Sequence, residues 1–244
     1  MKAVILAAGY ATRLYPLTLD RPKALLPVGG RPMVEHLLER LAGVDGLDEI
    51  LLVTNSRFAD AFRDWAAGWA GAVRIVDDGT SDEESKLGAI GDLDLAIREG
   101  AIDDDLLVLA GDNLFTESLA PFADFGREKG APALGVYDVG DLDAIRRYNA
   151  IELVADGRVT FFEEKPENPR STLTGIALYF YPRPLLGVIR EYLESGNNPD
   201  QPGRLVEWLY PRKPVYAWRV SGRWYDIGSK ETLAEADRAF APAH

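Results

Sequence analysis

The first 110 residues alternate short apolar runs with helical patterns, and this alternation restricts the fold more than any other feature of the sequence. The apolar runs are AVILAA from Ala3, EILLVTN around Ile50, VRIVDD around Ile75 and DLLVLAGDN around Val108. Continuous apolar runs of this length are typical of strands buried on both faces of a parallel sheet. They predict four parallel strands in the first half of the chain.

Amphipathic helices are predicted between these strands. Apolar residues recur at helical spacing at Met33, Val34, Leu37, Leu38 and Leu41, and again at Leu87, Ile90, Leu93 and Ile97. A strand, a crossover helix and a second parallel strand form one unit, and a series of such units makes a doubly wound sheet. We therefore expect an α/β protein whose Rossmann-like, doubly wound mixed sheet is covered on both faces, giving three α/β/α layers.

After about residue 131 the pattern changes to closely spaced extended segments, which predict that the sheet becomes mixed. Val159 and Phe161 alternate with polar neighbours, and Ile176, Leu178 and Phe180 alternate in GIALYFY. Helical spacing returns at the end of the chain. It predicts a helix through Leu185, Val188, Ile189, Tyr192 and Leu193, and a last helix over residues 229–240 with Ser229 as its N-cap.

The chain is predicted to be a single domain over residues 1–244. The cluster SGNNPDQPG, residues 195–203, has the composition of an interdomain linker. Only about forty residues follow it, too few for an independent core, so we interpret it as a loop.

Composition excludes several classes of function. The formal net charge is −12, which disfavours a nucleic-acid or anionic-membrane surface. There are no cysteines and only two histidines, His36 and His244, so disulfides, thiolate nucleophiles and histidine-rich metal sites are excluded. His36 is expected on the polar side of its helix in a structural or solvated role. No stretch reaches membrane-spanning length, and the cytoplasm is the expected location.

The connection after the first strand carries the strongest functional signal. It reads LAAGYATRLYPLTLDRPKALLPVGGRP and is too long for an ordinary strand-to-helix turn. Backbone amides near Gly9 could approach phosphate oxygens, while Arg13 and Lys23 neutralise their charge. The alternative is a surface loop whose cations, including Arg21, are merely solvated.

Five segments resemble, in order, the motifs of the sugar-phosphate nucleotidyltransferases. They are LAAGYATRLYPLTLDRPKALLPV, LAGDNLF, FEEKP, TGIALYFY and WYDIGSKETL. That family includes glucose-1-phosphate thymidylyltransferases and mannose-1-phosphate guanylyltransferases, and the resemblance covers nearly the whole chain. It implies an enzyme that transfers a nucleotidyl group from a nucleoside triphosphate to a hexose 1-phosphate and releases pyrophosphate. Residues 1–130 would form the nucleotide-binding half and residues 131–244 the sugar-phosphate-binding half.

The resemblance also implies roles for individual residues. Arg13 and Lys23 would be the catalytic cations that hold the triphosphate, and Asp112 and Asp226 would ligate Mg²⁺. The nucleotide would be bound by Leu6, Ala8, Gly9, Asp78 and Gly88. The sugar phosphate would be bound by Asn113, Glu164, Lys165 and Gly175. The implied reaction needs no covalent intermediate and no general base, because a phosphate monoester is already an anionic nucleophile.

The residues themselves are compatible with these roles but also with simpler ones. Asp112 ends a predicted parallel strand, where ligands bind in open α/β sheets, yet an aspartate before Asn113 could equally be a turn residue. Asp226 is an isolated carboxylate in an apolar stretch, and a metal ion would offset the cost of burying it. Lys165 lies in a charged run that could be a solvated surface.

Two departures from the family pattern affect the substrate. Asn149 follows Tyr148 where many members have glycine, and we expect asparagine to tolerate the positive φ of such a turn. Members that read thymine or uracil often place a glutamine before the pair that is Leu87 and Gly88 here. This chain has acidic residues in that region instead, namely Asp77, Asp78, Asp82, Glu83 and Glu84. A carboxylate can accept both N–H groups of guanine, so these residues favour guanine if they face the base.

Other functions are compatible with parts of this sequence pattern. A cytidylyltransferase that acts on a non-sugar phosphate shares the N-terminal signature, and a regulatory relative could bind nucleotide sugar without catalysis. A nicotinamide-dependent oxidoreductase is disfavoured because Gly9 is the only glycine in the first turn. The sequence ends soon after WYDIGSKETL, so we expect a minimal enzyme with one activity. Self-association into a homo-oligomer is left open.

Overall fold

The apolar runs of the first half become strands, as their pattern predicts. The computed structural model describes residues 1–241, so His244 lies outside the described residues. In chain order the strands are β1 (Lys2–Leu6), β2 (Pro27–Val28), β3 (Arg31–Pro32), β4 (Glu49–Thr54), β5 (Val73–Asp77), β6 (Leu106–Ala110), β7 (Asn113–Phe115), β8 (Ala133–Asp138), β9 (Asn149–Leu153), β10 (Val159–Glu164), β11 (Leu173–Tyr181), β12 (Tyr216–Arg219) and β13 (Trp224–Asp226).

The helices lie where the apolar spacing predicts them, with further helices that the pattern did not reveal. In chain order they are α1 (Met33–Leu41), α2 (Ala59–Gly68), α3 (Ala89–Glu99), α4 (Ala120–Lys129), α5 (Leu142–Ile145), α6 (Gly187–Glu194), α7 (Pro202–Leu209) and α8 (Lys230–Phe240). None of these helices is long and apolar enough to cross a membrane.

The main sheet is mixed and has seven strands in the order β12-β8-β11-β6-β1-β4-β5. Strands β6, β1, β4 and β5 run parallel, with Leu6 level with Val53 on one side and Ala110 on the other. Strand β11 is antiparallel to both β6 and β8, and β12 is parallel to β8. The predicted Rossmann-like mixed sheet is therefore confirmed.

Helices cover both faces of this sheet. One core contains alternate residues of the strands, such as Val4 and Val108, together with apolar side chains of α3, α6 and α7. The other core contains the intervening residues, such as Ile5 and Leu109, together with side chains of α1, α2 and α4. Because every central strand buries both of its faces, its sequence is continuously apolar. The three α/β/α layers predicted from the sequence are confirmed.

Three details differ from the sequence expectation. Helix α3 begins at Ala89, which leaves Leu87 outside it and exposed. A register shift between Val159 and Phe161 makes Phe162, rather than Phe161, the second buried residue of β10 after Val159. Such a bulge interrupts the two-residue period on which the prediction rested. The predicted loop over residues 195–203 ends earlier, because α7 begins at residue 202.

His36 is buried, not on the polar side of α1. Its Nε2 lies 2.8 Å from the Val28 carbonyl oxygen, and its Nδ1 lies 3.2 Å from a guanidinium nitrogen of Arg31. Its ring also packs edge-on against Phe240. Burial lowers the pKa of His36, so the neutral ring is favoured at physiological pH. The structural role expected from the sequence is the one observed.

A third, smaller core joins the N-terminal loop to the end of the chain. It includes Leu14 from the loop, Leu114 from β7, and Tyr225 and Ile227 from β13 and the residue after it. Helix α8 closes this core, and Ser229 caps the helix by accepting a hydrogen bond from the Thr232 amide. The predicted N-cap is thus confirmed. This small core holds the loop that carries Arg13 against the strands that carry Asp226.

Packing between α4 and β11 gives a test of the fold. A Cβ built at Gly126 would lie 2.3 Å from Cγ of buried Phe180, whereas a Cβ at Gly187 meets nothing within 4 Å. We expect Gly126→Ala to lower the free energy of unfolding by about 1–3 kcal/mol through overpacking. The matched Gly187→Ala variant should be neutral or slightly stabilised, since alanine favours helix. Urea denaturation measures both, and equal stabilities of the two variants would contradict the packing described.

Candidate active site

A cavity of about 500 Å³ lies at the carboxyl ends of the parallel strands. Its walls come from the segments after β1, β5 and β6, from β11, and from the start of α3. This edge of an open α/β sheet is where ligands bind. Nine of the residues predicted to form the site line this one cavity: Leu6, Ala8, Gly9, Arg13, Lys23, Asp78, Gly88, Asp112 and Asp226.

Lys23 and Asp112 form an ion pair in the cavity. The Lys23 Nζ lies 2.7 Å from Asp112 Oδ2, although 89 residues separate them in the sequence. Both side chains are largely shielded, with 16% of Lys23 and 33% of Asp112 exposed. Burial works against ionisation of Asp112, but the Lys23 charge and hydrogen bond outweigh it, so the pKa of Asp112 is lowered. Asp112 is therefore ionised at neutral pH.

Asp226 is brought beside Asp112 by a short antiparallel pairing. Residue Asp226 of β13 lies opposite Asn113 of β7, and the next amide, of Ile227, donates to the Asp112 carbonyl oxygen at 3.0 Å. Burial and then the Asp112 charge raise the pKa of Asp226 to about 6, while Lys23 and Arg13 oppose the rise. Two carboxyl groups from distant segments thus share one partly dehydrated site.

Asn113 is turned toward Asp112. Its amide nitrogen donates to Asp112 Oδ1 at 2.9 Å, and its amide oxygen accepts from Trp224 Nε1 at 2.6 Å. The sequence assigned Asn113 to the sugar phosphate, whereas here both ends of its amide are used within the protein. This arrangement fixes the orientation of the Asp112 carboxylate and leaves Oδ2 for Lys23.

The N-terminal loop carries Arg13 into the cavity. Buried Leu14 anchors the loop in the third core, and the Thr18 hydroxyl donates to the Ala11 carbonyl oxygen at 2.9 Å. Arg13 is exposed and forms no ion pair within residues 1–241. Gly9 also lines the cavity, and a Cβ built there meets nothing within 4 Å. The loop therefore presents open backbone beside an uncommitted cation.

Asn55, which the sequence reasoning missed, holds the backbone of this loop. It is fully buried after β4, and its amide nitrogen donates to the Ala8 carbonyl oxygen at 2.7 Å. Its position gave a usable signal, because a polar residue at the carboxyl end of a buried parallel strand faces the binding edge.

The part of the cavity that follows β5, away from Asp112, is lined by acidic residues. Asp78 follows β5 and accepts from both the amide and the hydroxyl of Thr80, at 2.7 and 2.8 Å. Of the five acidic residues that the sequence singled out in this region, Asp78 and Glu83 line the cavity. Gly88 also lines it, with φ of 80°, and a Cβ there would lie 2.7 Å from the Pro199 carbonyl oxygen. Only glycine fits this turn.

Asp92 of α3 also lines this end, and the sequence analysis did not select it. The residue is 6% exposed, and its Oδ1 is buried with no hydrogen-bond partner among the described residues. Burial and the neighbouring Asp78 raise the pKa of Asp92 to about 8. In the sequence it looks like an ordinary surface acid of an amphipathic helix, since its burial depends on contacts made by the folded chain.

Glu164, Lys165 and Gly175 lie outside this cavity. Lys165 has a positive φ of 51° and is exposed, and its amide donates to the Tyr148 carbonyl oxygen at 2.8 Å. Glu164 is half-buried, and burial raises its pKa. These residues belong to β10, β11 and the turn after β10, which pack beside the cavity.

Asn149 departs from the expected turn. It is the first residue of β9 and has no positive φ. Its amide oxygen accepts from the Gly175 amide at 2.6 Å, and its amide nitrogen donates to the Gly175 carbonyl oxygen at 2.9 Å. A Cβ at Gly175 would lie 2.7 Å from Leu134 Cδ1. The expectation of a left-handed turn was therefore wrong, because these two hydrogen bonds hold Asn149 extended.

A second cavity, of about 320 Å³, meets the first at Asp226. Aromatic rings form much of its wall. The Trp224 ring centroid lies 5.7 Å from that of Tyr137 and 5.6 Å from that of Tyr148. Arg223 contributes a cation. The two cavities together thus combine the Lys23 and Asp112 ion pair with an acidic end and an aromatic end.

The carboxyl groups that could hold a metal ion beside Lys23 are those of Asp112 and Asp226. Within residues 1–241 no group of three or more histidine, cysteine or acidic side chains is arranged to hold a metal ion. Asp112 and Asp226 supply two hard oxygen ligands in one cavity. That set suits a divalent cation that takes its remaining ligands from water and phosphate oxygens.

The fold and the site define an α/β protein with a charged cavity at the carboxyl edge of its sheet, the edge where such folds bind ligands. The nucleotidyl transferase family model matches residues 2–242. The chain therefore belongs to the nucleotidyl transferase family, and the resemblance seen in its motifs is confirmed.

Individual relatives and solved structures show which members of the family the chain resembles. It is 31% identical to a glucose-1-phosphate thymidylyltransferase of Mycolicibacterium smegmatis, over 97% of this chain and 81% of that one. It is 30% identical to a mannose-1-phosphate guanylyltransferase of Mycobacterium tuberculosis, over 99% of this chain and 66% of that one. Other relatives are longer, and the chain spans 54% of one and 60% of another. A UDP-glucose pyrophosphorylase from Acinetobacter baumanii has the same fold, with a TM-score of 0.80 at 22% identity, covering 98% of this chain and 93% of that one.

The raised pKa of Asp92 predicts a dependence of stability on pH. The folded protein keeps a proton on Asp92 up to a pKa of about 8, whereas the ordinary value is 3.8. Between these values the folded state binds more protons than the unfolded state, so this group lowers stability as pH rises. Asp92→Asn removes the effect, and its melting temperature relative to that of the parent protein should increase from pH 5 to pH 8.

Calorimetric or circular-dichroism melts at each pH measure this difference. Asp60→Asn serves as the control, because that carboxylate is 93% exposed and should show no such trend. A melting-temperature difference for Asp92→Asn that does not change with pH would contradict the buried, protonated state.

Proposed function

We propose that this chain is a magnesium-dependent sugar-1-phosphate nucleotidyltransferase. It would transfer a nucleotidyl group from a nucleoside triphosphate to a hexose 1-phosphate and release pyrophosphate. The observation that carries the proposal is the arrangement of Lys23, Asp112 and Asp226 in the cavity that Arg13 also lines. The names of relatives support the same reaction with glucose 1-phosphate or mannose 1-phosphate as acceptor.

The cations act on the triphosphate. Arg13 has no ion pair within residues 1–241, so it is available to the β- and γ-phosphates. Lys23 neutralises Asp112 in the ligand-free protein, and an entering triphosphate offers it a competing anion. Backbone near Gly9 can approach the phosphates closely because no side chain obstructs it. Together these groups stabilise charge on the departing pyrophosphate.

Asp112 and Asp226 would hold Mg²⁺, and Mg²⁺ when bound would neutralise charge on the α-phosphate oxygens. Lys23 and Asn113 keep Asp112 ionised and oriented for this purpose. An oxygen of the sugar 1-phosphate attacks the α-phosphorus, and the bond from that phosphorus to the pyrophosphate oxygen breaks in line with it. No proton transfer is required, which is consistent with a cavity that no histidine of residues 1–241 lines.

The sugar phosphate belongs on the side of β10, β11 and the aromatic cavity. Asn113, Glu164, Lys165 and Gly175 remain the proposed contacts on this side. The aromatic cavity reaches Asp226 directly, so a sugar bound there would bring its phosphate to the reaction centre. The two cavities, which share Asp226 in their walls, would give room for both substrates.

Pyrophosphate release tests the function. The assay covers five triphosphates (ATP, GTP, CTP, UTP and dTTP) with glucose 1-phosphate, mannose 1-phosphate, phosphocholine and inositol phosphate in the presence of Mg²⁺. We expect release that requires both a triphosphate and a hexose 1-phosphate. Release only with a non-sugar phosphate would identify a cytidylyltransferase that acts on phosphates such as phosphocholine or inositol phosphate. Nucleotide-sugar binding without release from any pair would identify a catalytically silent subunit.

The aspartate pair gives a sharper prediction. Asp112→Asn and Asp226→Asn each replace a carboxylate with an amide, so each should weaken the metal site and lower kcat roughly a hundredfold or more. Each should also raise the Mg²⁺ concentration needed for half-maximal rate. Asp60→Asn, which changes the same charge on the exposed surface, should keep the parent rate. Parent-like rates in both site variants would contradict the assigned metal site.

A further inference from the structure

An unexplained pair of carboxyl groups lies at the end of the cavity farthest from the reaction centre. Asp78 follows β5, whereas Asp112 follows β6, and β1 and β4 lie between those strands. Three strand spacings separate the two positions, a distance of roughly 14 Å across the sheet. A nucleotide whose α-phosphate lies at Asp112 would therefore extend its base toward Asp78. The proposed catalysis uses neither member of the pair.

Asp92 in particular has no structural explanation. It is 6% exposed and lines the cavity, and its Oδ1 is buried with no hydrogen-bond partner among the described residues. Apolar neighbours on α3, including Ile90 and Leu93, are buried in the core beside it. A buried carboxyl oxygen without a hydrogen-bond partner is costly, and no structural role in the fold accounts for this one.

Asp78 is held rigidly next to Asp92. Its Oδ1 accepts two hydrogen bonds from Thr80, and the Thr80 hydroxyl lies 3.4 Å from the Tyr10 hydroxyl. Both residues line the cavity, and the Asp78 charge adds to the effect of burial in raising the pKa of Asp92. A carboxylate offers only acceptors and a protonated carboxyl keeps an acceptor oxygen, so this pair presents hydrogen-bond acceptors to a ligand.

A cation stands at the same end of the cavity. Lys86 lines it, and its Nζ lies 2.8 Å from Glu83 Oε1 and 3.2 Å from Asp200 Oδ1. Lysine is only a hydrogen-bond donor. This end of the cavity therefore combines acceptors on Asp78 and Asp92 with a donor on Lys86.

We propose that Asp78 and Asp92 select guanine, so that GTP is the nucleotide donor. This inference rests on the proposed function and specifies its substrate. Guanine presents N1–H and an N2 amino group side by side, with the O6 acceptor next to them. The adjacent donors match the carboxyl pair, and O6 matches Lys86.

The other bases match less well. Uracil and thymine place a carbonyl oxygen on each side of a single N–H, so a second acceptor in the protein meets a second acceptor in the base. Adenine and cytosine each set one amino group beside an acceptor nitrogen. A site that offers paired acceptors leaves one unsatisfied with any of these four bases, and unpaired buried groups give strong discrimination.

Steady-state kinetics with the five triphosphates and the accepted sugar phosphate test the inference. We expect kcat/KM for GTP to exceed that for each other triphosphate at least tenfold. Asp92→Asn and Asp78→Asn each replace an acceptor with a donor. They should lower kcat/KM for GTP roughly ten- to hundredfold and change the values for UTP and dTTP by less than about threefold. Asp94→Asn is the matched control on α3, because Asp94 pairs with Arg98 and Arg190 outside the cavity.

The outcomes separate this inference from the proposed function. Pyrophosphate release that favours UTP, dTTP, CTP or ATP would overturn guanine selection and leave the function intact. If the Asp92→Asn and Asp78→Asn proteins fold and keep the base preference of the parent, guanine selection is overturned as well. If no substrate pair reacts, the function fails, and calorimetric titration with the five nucleoside diphosphates decides the base. Tighter binding of GDP that Asp92→Asn abolishes would support the inference, and equal affinities would overturn it.

Discussion

The ion pair between Lys23 and Asp112 is the interaction on which the rest of the site depends. Two aspartates from distant segments share a partly dehydrated cavity, and their mutual repulsion would resist this arrangement without a cation. Lys23 supplies that cation at 2.7 Å from Asp112 Oδ2. It keeps Asp112 ionised, whereas Asp226 has its pKa raised to about 6 by burial and by the Asp112 charge. This combination of charges is the basis for proposing that the site takes a divalent cation and a polyphosphate.

The fold explains how these groups meet. Parallel strands direct the segments after β1, β5 and β6 to one edge, and the antiparallel pair β7 and β13 adds the end of the chain. A small apolar core that contains Leu14, Leu114 and Ile227 fixes the loop of Arg13 against that pair. The molecule has a net charge of −12, and the cavity sets Arg13, Lys23 and Lys86 among six acidic residues. Local arrangement, rather than total charge, therefore determines what this surface can bind.

Much of this architecture could be predicted from the sequence because the signals are local. Continuous apolar runs identified the strands buried on both faces, and the Ser229 cap identified the start of α8. The motifs located Lys23, Asp112 and Asp226, and the sheet edge brought them together. Features that depend on contacts between distant residues could not be predicted. The bulge that buries Phe162, the two hydrogen bonds between Asn149 and Gly175, and the unpartnered Oδ1 of Asp92 are such features.

The central claim is that Asp112 and Asp226 together form the metal site of the reaction centre. Crystals grown with Mn²⁺ and a non-hydrolysable nucleoside triphosphate would test it most directly, through the anomalous scattering of manganese. The account predicts an anomalous peak within coordination distance of both carboxylates, with the triphosphate extending toward Arg13 and Lys23. A peak elsewhere in the molecule, or a bound triphosphate whose metal contacts neither aspartate, would contradict it.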